Sequence, residues 1–382
     1  MNNMNQKKLV IIGTAEGQRQ LYIKAKQKGL YTIAFSYNRG CIPFDLVDEY
    51  YEISILEKDA IVDKCREIGV DGVVSNGSEL TANIASYVAD KLDLECTPNH
   101  IIVRLQDKNK VRELTRDIEE LHPLRSYVFN GDEPEPIFLP CVVKPMAGSS
   151  KNGVSFANSI QEFRKAITYS VESLDAPPLI EEYAQGKEVS VESISFQGVH
   201  YVIQITDKDS SGAPHFVELG HHQPSNFSKE IQNKIRRVLP RILDTVGYVS
   251  GATHTEFKIT EDGRLYLIEI NPRGGGDEIS NRLVYLSTGY DYIGAMIDVA
   301  IGHFVEPVMG EEKCSGILFL TKQTEYLLPL FQNAKEQPWY VDGRVDSFDL
   351  KECMGNASKN GYIIYQSEKK NNRINIVNYG NK

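Results

Sequence analysis

Residues 253–271 constrain the fold of this chain more than any other stretch. Two runs of β-formers flank Glu261-Asp262-Gly263-Arg264, and Asp-Gly between such runs is a strong hairpin signal. With Asp262-Gly263 as a two-residue loop, Glu256 falls directly opposite Glu269, and His254 opposite Asn271. Residues two apart share a face of a strand, so His254, Glu256, Glu269, Asn271 and Arg273 project together. Phe257, Ile259, Tyr266, Ile268 and Ile270 make the other face and read as core. A three-residue bulged loop would shift this pairing by one. Directly opposed carboxylates repel and destabilise a sheet, and a cation between them removes the conflict. Glu256, Glu269 and the Asn271 amide offer hard oxygen ligands suited to magnesium that also bridges phosphates, with manganese as the alternative. Arg273 stands where it could stabilise phosphoryl or tetrahedral charge.

The rest of the chain places this hairpin. The first hundred residues alternate strand and helix: Lys8–Ile12, a turn at Gly13-Thr14-Ala15-Glu16-Gly17, a helix near 18–28, a strand at 32–35, a helix at 58–68, a strand at 72–75 and a helix at 80–92. That rhythm predicts a parallel sheet with helices on both faces. The Gly13/Gly17 turn lacks the full GxGxxG pattern and reads as a tight strand–helix turn. After a helix near 106–114, residues 123–144 turn to proline and β-formers. Strands are expected at 141–144, 179–183, 188–195 and 202–206, then an amphipathic helix at 229–246. The tail beyond about residue 305 is mixed and shows no assignable pattern.

Three further segments carry chemistry. Pro140-Cys141-Val142-Val143-Lys144-Pro145 ends a strand on a lysine, and Met146 to Val154 follows as a loop of small residues containing Gly148, Ser149 and Ser150. Backbone N–H groups of such a loop and the lysine charge suit phosphate, although this is no GxxxxGK[ST] loop. Leu179 to Glu192 is an apolar strand, an acidic hinge (Glu181-Glu182-Tyr183-Ala184), a glycine turn and a second strand. Such a hinge can read an adenine edge, and Glu188 can take ribose hydroxyls. Between Thr206 and Pro224 stand three histidines without clear metal-ligand spacing, and Lys208 or His222 is a candidate phosphate or substrate contact.

Taken in order, Asp107-Lys108, Val142-Val143-Lys144-Pro145 with its Gly-Ser-Ser loop, Glu181-Glu182-Tyr183-Ala184 with Glu188, Glu256, and Glu269-Ile270-Asn271-Pro272-Arg273-Gly274 resemble the ATP-grasp superfamily. The likeness spans roughly residues 8–305. Gly251-Ala252-Thr253-His254-Thr255-Glu256 is similar to the L-amino-acid ligase (dipeptide synthetase) branch. The resemblance implies an α/β fold, α+β in the ATP-binding part: an N-terminal Rossmann-like domain (1–105) and an ATP-grasp domain (106–305, lobes about 106–180 and 181–305); residues 306–382 are expected to form a small mixed α+β C-terminal subdomain. It implies that Lys108 and Lys144 hold ATP phosphates and that the loop 148–153 closes over them. Glu181, Glu182, Tyr183 and Ala184 would line the adenine site, Glu188 would bind ribose, and Glu256, Glu269 and Asn271 would ligate magnesium. Arg273 would contact the acyl phosphate or tetrahedral adduct, and His254 could help an amine lose its proton. The implied reaction is ADP-forming carboxylate–amine ligation through an acyl phosphate, on an amino acid or related acid. A carboxylase or thiol ligase on the same scaffold would share every ATP residue, and a non-catalytic nucleotide-binding module is the rival of a different class. The run Gly274-Gly275-Gly276-Asp277 need not shape the same substrate pocket as in the ligase branch.

Bulk properties agree. The 382 residues suit two or three packed domains. A formal net charge of −10 argues against general nucleic-acid binding. No apolar run approaches the ~20 residues that cross a bilayer, and the polar N-terminus does not resemble a signal peptide, so a cytoplasmic protein acting on small molecules is expected. Six scattered cysteines without a CxxC pair read as reduced thiols. Dimerisation is expected only by analogy with the family.

Overall fold

The computed structural model describes residues 6–38, 40, 42–131, 136–146, 153–213, 216–350 and 359–368. The N-terminal strands β1 (Lys8–Ile12), β2 (Tyr31–Phe35), β3 (Glu49–Tyr51) and β4 (Gly72–Val74) form a parallel sheet in the order β3-β2-β1-β4. Helix α1 (Arg19–Gln27) connects β1 to β2, α2 (Lys58–Ile68) connects β3 to β4, and α3 (Glu79–Lys91) follows β4. β1 is a continuous apolar run because side chains on both its faces are buried. One face packs in a cluster with α2 and α3. The other packs in a cluster shared with α1 and residues 292–300.

Helices α4 (Asn99–Gln106) and α5 (Lys108–Thr115) follow, divided at Asp107, whose side chain caps α5 by accepting from the Lys110 N–H at 3.0 Å. The helix expected near 106–114 is α5, α4 was not anticipated, and the cap places Lys108 in the first turn of α5. A small antiparallel sheet, in the order β5-β8-β6-β7, comprises β5 (Ser126–Val128), β6 (Cys141–Lys144), β7 (Ser155–Ala157) and β8 (Leu179–Glu182). Helix α6 (Ile160–Ser173) covers one face, burying Phe163 and Ala166 against Cys141, Val143 and Ile180. Alternation leaves Val142, Lys144 and Glu181 on the other face.

The largest sheet has eight antiparallel strands: β9 (Lys187–Phe196), β10 (Val199–Ser210), β11 (Glu218–Gln223), β12 (Gly251–Ile259), β13 (Leu265–Asn271), β14 (Cys314–Leu320), β15 (Tyr340–Val345) and β16 (Gly361–Ser367), in the order β13-β12-β9-β10-β11-β14-β16-β15. Helix α7 (Lys229–Val246) lies on its back, burying Ile235, Leu239, Ile242, Leu243 and Val246 among Val189, Val191, Ile205, Phe257 and Leu267. Each such side chain contributes about 1.5–3 kcal/mol when removed from water. Helices α8 (Val284–Thr288) and α9 (Tyr292–Ala300) run on from β13, and α9 packs against α1. Strands β14–β16 come from the tail that had no sequence pattern, and they continue the central sheet.

The hairpin differs from its sequence reading in an instructive way. Next to the turn, Ile259 pairs with Leu265, Lys258 with Tyr266 and Phe257 with Leu267, so the connection is the five-residue Thr260–Arg264. A bulge then shifts the register, restoring Glu256 opposite Glu269 and His254 opposite Asn271. Ile268 is the extra residue. Because a bulge reverses side-chain parity on its strand, Leu265 and Leu267 enter the core with Phe257, Ile259 and Ile270. Tyr266 and Ile268, expected in that core, instead join Leu124 and Ala184 on the opposite side.

Candidate functional site

A cavity of about 750 Å³ opens between the small sheet, the front of the large sheet and the start of α3. Lys108, Lys144, Glu181, Glu182, Tyr183, Ala184, Glu188, Lys208, His254, Glu256, Glu269 and Arg273 all line it. Residues from motifs up to about 160 positions apart therefore meet at one place. Asn271 is buried beside it, donating its amide N–H to Glu269 Oε1 at 2.8 Å. His222 is not brought in: it is buried under the sheet, with Nε2 at 2.8 Å from Asp209 and Nδ1 at 2.6 Å from the Tyr365 hydroxyl. Its neighbour His221, pointing the other way, lines the cavity. Gly148, Ser149 and Ser150 lie outside the described residues.

At one wall, Lys144 and Glu181 form a buried ion pair, and Arg112 reaches the same carboxylate at 3.0 Å. Burial raises the Glu181 carboxyl, but Arg112 and Lys144 overcome it and hold it below the usual range. For Lys144 burial wins: it pushes the ammonium down to about 8, against the pull of Glu181. The Glu181 carboxylate is thus occupied in fixing Lys144. Glu182 turns to Arg125, whose Nε lies at 2.6 Å. An apolar slot of Leu124, Val142, Ala184 and Ile268 lies beside this wall.

On the floor stand the opposed Glu256 and Glu269. Their mutual repulsion is met by lysines. Lys208 is buried on β10 and touches three carboxylates: Glu256 at 2.6 Å, Glu188 at 2.9 Å and Glu218 at 2.9 Å. Burial disfavours its charge, but these three carboxylates raise its pKa well above the ordinary value. Lys108 approaches Glu269 at 3.4 Å. Burial raises the Glu269 carboxyl, yet Lys108, the Asn271 amide, Lys144 and Arg273 hold it far below the carboxylate range. The repulsion that suggested a bound cation therefore has two protein cations to answer it. The donor set still fits a divalent ion: Glu188, Glu218 and Glu256 bring carboxylate oxygens within 4.8 Å of one another, and Glu269 faces Glu256. Asn271 would offer Oδ1 after its amide turns. Arg273 Nε is buried without a hydrogen-bond partner among the described residues, which suits an anion alongside.

His254 is held from both ends, Nδ1 by Glu192 and Nε2 by Glu256 at 3.2 Å. Burial lowers its pKa, but the two carboxylates prevail and push it up to about 9. At neutral pH it is an imidazolium donating through both nitrogens, so in this state it has no lone pair with which to take a proton from an amine. Gly275 makes the close approach behind it: its N–H donates to Glu192 at 2.9 Å, and a Cβ there would lie 2.7 Å from His254 Nδ1. That is the physical reason for glycine at this point in the run.

Five titratable cavity residues were not candidates on the sequence. Glu79, at the start of α3, faces the floor; burial and Glu269 raise its pKa. Glu218 and His221 come from β11, and Asp277 follows the glycine run, with His221 at 3.4 Å and Lys359 at 2.6 Å. Asp277 and Glu278 both have positive φ, 50° and 64°, a conformation unfavourable for residues with a Cβ. Lys258 is the fifth. The two-residue spacing along β12 (His254, Glu256, Lys258) marked it for the site face, whereas Glu79 and Asp277 carry no local signal.

Comparison with known proteins adds the following. Residues 137–282 match the ATP-grasp domain family. A formate-dependent phosphoribosylglycinamide formyltransferase from Prochlorococcus marinus is 25% identical over 285 residues, covering 70% of each chain. The structure superposes on an L-amino acid ligase from Bacillus licheniformis with a TM-score of 0.81 at 20% identity, covering 98% and 97% of the two chains. It matches N5-carboxyaminoimidazole synthetase from Staphylococcus aureus, solved with ADP, with a TM-score of 0.74 at 15% identity, covering 98% and 97%. Among the described residues no helix is long and apolar enough to cross a membrane, and Cys65, Cys96, Cys141 and Cys314 are free thiols.

Proposed function

We propose that this chain, an ATP-grasp protein through residues 137–282, is an ADP-forming ligase that activates a small carboxylate as an acyl phosphate and transfers it to an amine. One observation carries the reading: a single cavity gathers buried cations on one wall, opposed carboxylates on the floor and an apolar slot between them.

In this reading the apolar slot takes the adenine, with the backbone of residues 182–184 at its edge and Glu188 on the ribose. Lys108 and Lys144 hold the phosphates. Magnesium, when bound by Glu256, Glu269 and Asn271, would supply charge neutralisation across the phosphate chain. The substrate carboxylate oxygen attacks the γ-phosphorus, and the bond to the ADP oxygen breaks. The amine nitrogen then attacks the acyl carbon, phosphate leaves, and the amine proton passes to a base. Arg273 stands where charge develops on the adduct. His254 keeps Glu256 in place. The work is positioning and electrostatics, so no covalent protein nucleophile is required.

The likeness to the L-amino acid ligase supports an amino acid or related acid as the activated group. Asp277, in its strained backbone conformation, and its partner His221 line the cavity and suit a polar substrate. The domain division at about residues 105 and 305 belongs to the same proposal, with the qualification that β14–β16 extend the catalytic sheet. The test is a matrix of amino acids and simple carboxylates against amines, read by phosphate release and mass spectrometry. ADP, phosphate and an amide should appear together. Pyrophosphate as the product overturns the reading, and phosphate release without an amine-dependent product overturns its amine half.

A further inference from the structure

Lys258 lines the cavity beside two aromatic rings. It lies on β12, one alternation beyond Glu256 on the same face, about 7 Å further along the strand. Its Nζ stands over the Tyr183 ring at 4.7 Å and the Phe216 ring at 5.4 Å. In the sheet register its strand partner is Glu188, and both side chains line the cavity.

We infer that Lys258 is a specificity-determining residue that reads the ribose hydroxyls of the nucleotide together with Glu188. The inference rests on the ATP reading above. Phosphates held over Glu256 and Glu269, with the base in the slot beside Ile268, leave the ribose level with the next pair of residues along the sheet, which is Lys258 and Glu188. An ammonium offers only donors and a carboxylate only acceptors. Each ribose hydroxyl is both donor and acceptor, so two neighbouring hydroxyls can donate to Glu188 and accept from Lys258 at once. The aromatic faces of Tyr183 and Phe216 hold the ammonium by cation–π attraction, which fixes a long side chain that would otherwise lose entropy on binding. A sugar lacking the 2′-hydroxyl would lose that hydroxyl's hydrogen bonds to Glu188 and Lys258, a loss on which a polar site discriminates.

The test measures binding of ATP and of 2′-deoxyATP, each with magnesium and no carboxylate, to the whole protein by calorimetric titration. The wild type should prefer ATP by about tenfold or more. Lys258→Met should weaken ATP and leave 2′-deoxyATP nearly unchanged, collapsing the preference towards unity. Lys258→Arg should keep part of it, and Glu188→Gln should lose it. A nucleotide-free thermal melt of each variant separates lost contact from lost fold. If Lys258→Met does not fold, the preference in the Arg and Gln variants decides. Equal weakening of both nucleotides would assign Lys258 to a phosphate and overturn the inference, as would an unchanged preference. A wild type that binds neither nucleotide overturns the ATP reading itself, and the inference with it.

Discussion

Lys144 shows burial and pairing competing at one side chain. Its ordinary ammonium would stay charged well past pH 9, but burial brings it down to about 8 even beside Glu181. Because its folded pKa lies below its unfolded value, its charge is a cost to the folded state that disappears as pH rises through that window. In the proposed function the same titration removes a phosphate contact. ATP affinity should therefore fall as pH rises through about 8 at fixed ionic strength, and Lys144→Arg, whose guanidinium stays charged, should flatten the profile. A wild-type affinity that is level across that range counts against the assignment. Glu269 gives the second expectation. Glu269→Ala should lower turnover by about 100-fold or more, with circular dichroism unchanged. Retained activity at saturating magnesium would sink its place in the metal set. Both residues were legible from the sequence, Lys144 as the end of a strand and Glu269 as the residue opposite Glu256 on the polar face of the hairpin. That Glu181 is spent on Lys144, and His254 on Glu192, was not, because those contacts join strands that no local pattern relates.

At the scale of elements, the hairpin separates what pattern can say from what it cannot. Alternation put Glu256 opposite Glu269, and they are. It did so with the wrong loop, since the five-residue turn and the bulge at Ile268 cancel in register at the site but not before it. The bulge moves Tyr266 and Ile268 out of the core and gives the cavity its apolar slot. Where the hinge meets β9, Gly186 lies against β12: a Cβ there would stand 2.4 Å from the Ile259 carbonyl oxygen. Gly186→Ala should destabilise the protein by about 1–3 kcal/mol, seen as a lower urea midpoint. Nucleotide affinity should fall with it, because β9 carries Glu188. A midpoint within error of the wild type would show that the strands can part there at no cost.

Over the whole molecule, the cavity belongs to no single unit. The small sheet brings Lys144, the large sheet Glu256 and Glu269, and the N-terminal helix α3 brings Glu79. A ligand bound among them should tie the units together. At about 100 times its dissociation constant, Mg-ATP should raise stability by about 2.7 kcal/mol; Glu269→Ala should show a much smaller rise in melting temperature. An equal rise in both proteins would place the nucleotide elsewhere. The sequence by itself determined the parallel N-terminal sheet, the long amphipathic α7 and the polar face of the hairpin, since each follows from periodicity within one segment. Only the tertiary structure decided that β14–β16 continue the eight-stranded sheet, that His221 rather than His222 faces the cavity, and that Glu79 and Asp277 border it. Those outcomes depend on strand order, bulges and the meeting of distant segments, which side-chain periodicity along one strand does not encode.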